Sequence, residues 1–268
     1  MAEANISNNW VKIEANLTAW RTDTIELSHS FYRYMSEEDL DYILDGSFLF
    51  KNPSSWWDPF ESLMVNGDYS NLGFSKPATY VACFSKLARS EAHWKMYKRN
   101  LRKPYIRVEF DMKNFIGALC LASVLDNQSH LYVGNVYYGL RETSIKAIAK
   151  KSSKYHKVAI PSNFEEKNYV DLLLLKRQSF KWEEETRIII LSQTEQQETL
   201  FLRYDPKLAK SFIKSIQIEP NKSNSTFHRL QKKYKEKWDS LGQPLYLNDF
   251  NCTKSNLYNK IPPLVFER

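Results

Sequence analysis

A chain of 268 residues is long enough to bury one large core. Its 43% hydrophobic and 26% charged content is that of an ordinary globular protein, and no apolar run approaches the ~20 residues a membrane helix requires. The net charge of +7 favours phosphate-rich or acidic partners and also serves solubility.

The opening MAEANISNNW is polar and has no leader pattern, so a cytoplasmic protein without membrane partners is expected. A lead-in over 1–28, with a short helix near Trp10 to Trp20, precedes a single α+β domain over 29–258 and a tail over 259–268. HSFYRY, from His29 to Tyr34, reads as a strand. Ser36 with Glu37, Glu38 and Asp39 starts a helix whose apolar face is Leu40, Ile43 and Leu44 and which Gly46 ends. Phe48 to Phe50 is a short strand, followed by a turn and WWDPFESLM. TYVACFS (79–85) is a buried strand, SEAHWKMYKRN (90–100) an amphipathic helix, and YIRVEF (105–110) an alternating strand. Lys113 to Leu125 is a helix and Leu131 to Tyr138 a strand. A Lys-rich excursion covers 139–168. FKWEEETRIIILS is the best strand signal in the chain, SFIKSIQIE (211–219) gives a further strand, and Phe227 to Leu241 is a basic helix. Strands and helices interleave without regular βαβ spacing, which predicts an α+β fold: a mixed, largely antiparallel sheet with flanking helices.

Few residues carry obvious chemistry. Cys83, Cys120 and Cys252 are widely spaced and suggest neither a disulfide framework nor a zinc site; Cys83 reads as a buried thiol or a nucleophile. The five histidines show no metal-binding spacing, and no metal is expected. No Gly-rich phosphate loop or GxSxG elbow occurs. In a strand, Glu183, Glu185 and Arg187 share one face. Arg187 can pair with Glu185 and leave Glu183 raised in pKa or bound to a ligand, a pattern suited to general-base work, metal binding or a clamp on ribose hydroxyls, or to a plain salt-bridge ladder. Arg33, between Tyr32 and Tyr34 and just before a helix, can grip a phosphate or pair with Glu61 or Glu183. Asp58 and Glu61 follow Trp56 and Trp57, as a structural corner or a base-stacking platform. Arg229, Lys232, Lys233 and Lys237, with Tyr234 among them, form a nucleic-acid-binding candidate or a solvated helix face.

The ordered motifs YRYMS, FLFKNPSSWWDPFE, VACFS, EAHWKMY, LLLKRQSFKWEEETR and FIKSIQIEP, with a late LY pair, resemble the bacterial "domain of unknown function 2971" family over about residues 29 to 258. That family is distantly similar to the ADP-ribosyltransferase superfamily, some of whose members are toxins in phage defence. The resemblance implies a basic residue on an early strand, a Ser-containing middle strand and a late Glu, places that Arg33, Ser85 and Glu183/Glu185 occupy in order. The middle strand here reads CFS rather than Ser-Thr-Ser, and Arg187 has no standard role in that scheme. The resemblance further implies NAD as substrate, with Arg33 on phosphate or ribose, Glu185 on the ribose 2′-hydroxyl and Glu183 at the acceptor. Tyr34, Trp94 or Tyr97 would stack on nicotinamide, and Ser85 would line the cofactor site. The acceptor would be a nucleic acid or a protein, with an antitoxin or defence-system protein as partner. A metal-dependent nuclease built on Asp58, Glu61, Glu183 and Glu185, and a non-catalytic binding module of a toxin–antitoxin or defence assembly, are the alternatives.

Overall fold

The computed structural model of this chain describes residues 10–14, 18–21, 29–56, 58, 61–62, 65–96, 103–122, 129–140, 164–242 and 249–257. Tyr97 and most of the expected Lys-rich excursion, 141–163, lie outside the described residues.

Local sequence sets the elements. The chain begins with β1 (Trp10–Glu14) and β2 (Thr18–Arg21), which pair antiparallel where a short helix was expected. Val11 and Ile13 alternate with Lys12 and Glu14, which is a strand rhythm rather than a helical one. β3 (Ser30–Ser36) runs into α1 (Glu37–Leu44), where Ser36 and Asp39 form a reciprocal capping box. Gly46, at φ +78°, makes the turn out of α1 that a Cβ would strain. β4 (Ser47–Lys51), β5 (Ala78–Ser85), α2 (Glu91–Met96), β6 (Tyr105–Asp111) and α3 (Met112–Cys120) follow. Then come β7 (His130–Asn135), β8 (Tyr137–Leu140), α4 (Glu166–Leu173), β9 (Leu175–Arg177) and β10 (Glu185–Ser192). β11 (Thr199–Arg203), α5 (Ala209–Phe212), β12 (Ile213–Ile218), α6 (Asn224–Ser240) and β13 (Cys252–Lys254) complete the described elements.

Eleven of the described strands form one mixed, mostly antiparallel sheet in the order β1-β2-β7-β10-β5-β3-β6-β12-β13, with β4 and β11 branching from β5. The fold is α+β, as the interleaved pattern predicts. β2–β7 and β12–β13 are parallel, and β8–β9 form a separate parallel pair. β5 is the fork of the sheet. Its Ser85 end pairs with β3 at Tyr32, while Val81 pairs with β4 at Lys51. The lead-in therefore belongs partly to the sheet, since β2 docks on β7.

Alternation along the strands separates two faces. On the first, Phe31, Met35, Ala82, Phe84, Val108, Phe110, Ile188 and Ile190 pack against α1, α3, α5 and α6. On the second, Val81, Tyr132, Ile189 and Leu191 pack against Tyr169, Val170 and Leu173 of α4. No described helix is long and apolar enough to cross a membrane.

Candidate functional site

The second face turns polar toward the Ser85 end of β5. Glu185 and Arg187 alternate with Ile188 and Ile190 of the first face and so belong to the second. The expected strand over FKWEEET starts only at Glu185. Gln178–Glu183 is a 3-10 helix, and Glu184 takes the left-handed conformation at φ 44°. That kink does what strand alternation was expected to do and turns Glu183 and Glu185 onto one ammonium. Lys176 Nζ, on β9, lies 2.7 Å from Glu183 and 2.9 Å from Glu185. A left-handed non-glycine residue costs on the order of 1–2 kcal/mol and marks a place held by its surroundings.

Arg187 completes the cluster. Its Nε donates to Glu185 at 2.8 Å, its Nη1 to the Leu173 carbonyl at 2.5 Å and its Nη2 to Glu61, while the Trp56 ring lies 4.3 Å from the guanidinium carbon. Three carboxylates (Glu61, Glu183, Glu185) thus surround two cations (Lys176, Arg187), all nearly buried. Alongside, Asp58 accepts from Arg177 Nε at 3.2 Å. The Asp58–Glu61 corner is therefore structural. The place a metal would take among Glu61, Glu183 and Glu185 is filled by Lys176 Nζ, and the described residues offer no metal-holding cluster.

The two central carboxylates are driven apart. Burial raises Glu183, and although Lys176 opposes this, the net shift is upward. Burial would raise Glu185 too, but Arg187 and Lys176 outweigh it and hold its carboxyl below the usual range. Strand alternation predicts the Glu185–Arg187 pair, with Glu183 raised or holding a ligand. The structure reproduces that division and adds Lys176, which no motif in the sequence signalled. Burial, then Glu185, pushes the Cys83 thiol far up, which suits an inert thiol rather than a nucleophile.

Ser85 stands opposite Glu185 in the β5–β10 register and opposite Tyr32 in β3. Its hydroxyl donates to the Glu183 carbonyl at 2.7 Å and accepts from Leu87 N–H at 3.0 Å, so it fixes the Glu183 turn. Tyr34 stacks on His93 of α2, with centroids 5.0 Å apart, and meets Trp94 edge-on at 4.9 Å; His93 in turn meets Trp182. Burial pushes His93 down to about 4. Tyr34 and Trp94 are thus brought together beside the carboxylates, with His93 between them and Trp182, a role its sequence context did not announce.

The expected place of Arg33 differs from the structure. Arg33 is on the first face: its guanidinium carbon lies 4.8 Å from the Phe48 centroid and 5.6 Å from that of Phe84, both in the first-face core. Period-two alternation gives Tyr32 and Tyr34 to the carboxylate face and turns Arg33 away from Glu183 and Glu185. The basic helix face is only partly open surface. Lys233 bonds Glu37 at 2.9 Å and Asp41 at 2.7 Å, Lys237 bonds Asp45 at 2.8 Å, and Arg229 meets Glu37 at 3.5 Å. These side chains dock α6 on acidic α1. Lys232 and Arg229 are the exposed members, with side chains 80% and 57% exposed, and Lys232 meets Glu236 at 3.9 Å. A cavity of about 350 Å³ lies at the other end of β5, lined by Thr79, Tyr169, Asn66 and Gln196, away from the carboxylates. No family model, curated protein or solved structure matches this chain.

Proposed function

We propose that the second face carries an ADP-ribosyltransferase-like site that consumes NAD and passes ADP-ribose to a nucleic acid or protein acceptor, in a toxin or phage-defence role. The observation that carries this reading is the Tyr32–Ser85–Glu185 line across three neighbouring strands, ending on two carboxylates pushed in opposite directions. Such a split divides labour between a proton-transfer group and a fixed charge. Breaking the bond between ribose C1′ and nicotinamide leaves positive charge on the ribose, and an ionised Glu185 steadies it. Glu183, whose basicity burial raises, takes the acceptor's proton as the new bond to C1′ forms. Tyr34 and Trp94, packed with His93, form an aromatic wall beside this site. Arg33 has no part in this reading, because it faces the other core.

The full pairing of Glu185 by Lys176 and Arg187 favours a second reading, in which the cluster only holds β9 and β10 together in a binding module. Nicotinamide release from NAD by the purified chain separates the two: turnover that Glu183→Gln abolishes supports the first, and a folded chain inert toward NAD supports the second.

A further inference from the structure

Arg107, in β6, lies on the second face opposite Tyr34 in the register with β3, with its guanidinium carbon 4.8 Å from the Tyr32 ring centroid. It is 7% exposed, and its Nε is buried with no hydrogen-bond partner. Among the described residues the guanidinium makes no hydrogen bond or ion pair at all. Arg187, buried to a similar degree, shows the contrast, since it is bonded to Glu185, Glu61 and the Leu173 carbonyl. Burying a guanidinium is costly unless its charge is paired. Glu109, two residues along β6, attracts Arg107 without forming an ion pair with it, and its carboxylate accepts from Ser215 Oγ at 2.7 Å. Exposed Arg89, in the segment between β5 and α2, stands near enough to repel Arg107. A guanidinium over an aromatic face, with a second guanidinium nearby and no carboxylate bonded to it, suits an anion rich in acceptor oxygens.

We propose that Arg107, seated on Tyr32 and joined by Arg89, binds the phosphate of a small di- or polyphosphate ligand such as a nucleoside diphosphate. A terminal phosphate reaches a nearly buried guanidinium, whereas a backbone phosphate flanked by two sugars does not. The phosphate contact requires neither Glu183 nor Glu185 and so holds or fails independently of the transferase chemistry, although Tyr32 belongs to both sites.

Isothermal titration of the full chain with ADP, inorganic pyrophosphate and an unphosphorylated oligonucleotide tests this. ADP and pyrophosphate are expected to bind wild type, and Arg107→Gln to weaken both by about tenfold or more. Arg89→Gln weakens them less, and Lys232→Gln, on the exposed face of α6, leaves them unchanged. The ligand-free Arg107→Gln protein is expected to melt no lower than wild type, because it loses a buried charge without a partner. The proposal is overturned if neither phosphate probe binds, or if Arg107→Gln binds them equally. It is also overturned if that variant melts lower when ligand-free, which marks a structural arginine, or if only the oligonucleotide depends on Arg107.

Discussion

Arg187 binds Glu185, two residues earlier on the same strand, through Nε at 2.8 Å and Nη2 at 3.2 Å. With 1% of its surface exposed, Arg187 has no water to fall back on if the carboxylates leave, nor they if it leaves. Arg187→Met is therefore expected to lower unfolding free energy by about 3–5 kcal/mol, since it leaves three buried carboxylates on the single ammonium of Lys176. Urea unfolding measures this. Glu183→Gln, which keeps a hydrogen-bonding side chain and leaves Lys176 paired with Glu185 and Glu61, should cost less than Arg187→Met in the same assay.

His93 gives a pH signature. It faces Tyr34, Trp182 and the Glu183 backbone, within the field of Glu185 and Lys176, and is held at about 4 against an ordinary 6.5. Below pH 6.5 the unfolded chain takes up a proton that the fold refuses. The stability due to neutral His93 is thus full above 6.5 and is lost as pH falls toward 4. The decline by pH 5 is expected to be on the order of 2 kcal/mol. Glu183, raised by its burial, acts in the opposite sense as pH falls. Comparing urea midpoints of wild type and His93→Phe at pH 7 and 5 isolates the histidine: the variant should lose less.

Glu184 sits at φ 44° between the two carboxylates. Glu184→Gly removes the Cβ penalty but adds freedom to the unfolded chain, so a gain of no more than about 1 kcal/mol is expected. A β-branched replacement, Glu184→Val, should cost more than about 1 kcal/mol and loosen the Glu183–Lys176 contact. Thermal melts of both variants check the sign.

The lysines of α6 should separate by what they touch. Lys232→Gln is expected to stay within about 0.5 kcal/mol of wild type. Lys233→Gln, which breaks contacts to Glu37 and Asp41, should cost about 1 kcal/mol, less at high salt. Melting at low and high salt measures both. Neither change should alter the salt slope of any nucleic-acid binding.

Much of this was legible in the sequence because the signals are local. The Ser36–Asp39 box, the alternation of YIRVEF and the apolar run of β10 each name an element from a few residues. Alternation in β10 also gave the Glu185–Arg187 pair. What the sequence hid depends on tertiary closure. Lys176 reads as one lysine among many until β9 lays it against Glu183. The 3-10 turn of QSFKWE breaks a strand rhythm yet preserves its outcome through the kink at Glu184. Arg33 was matched by residue type and order, and the period-two rule, applied to β3 as it was to β10, turns it to the other face. The cationic stripe of α6 resembles a phosphate-binding face because its partners, Glu37, Asp41 and Asp45, lie far away in sequence.

The most direct measurement is nicotinamide release from NAD by the purified chain, with RNA and with a protein extract as acceptors, for wild type and Glu183→Gln. The proposed chemistry predicts release by wild type and a loss of about a hundredfold or more in a variant that still unfolds cooperatively near the wild-type midpoint. Wild type that leaves NAD intact with every acceptor, or equal release by both proteins, would contradict it.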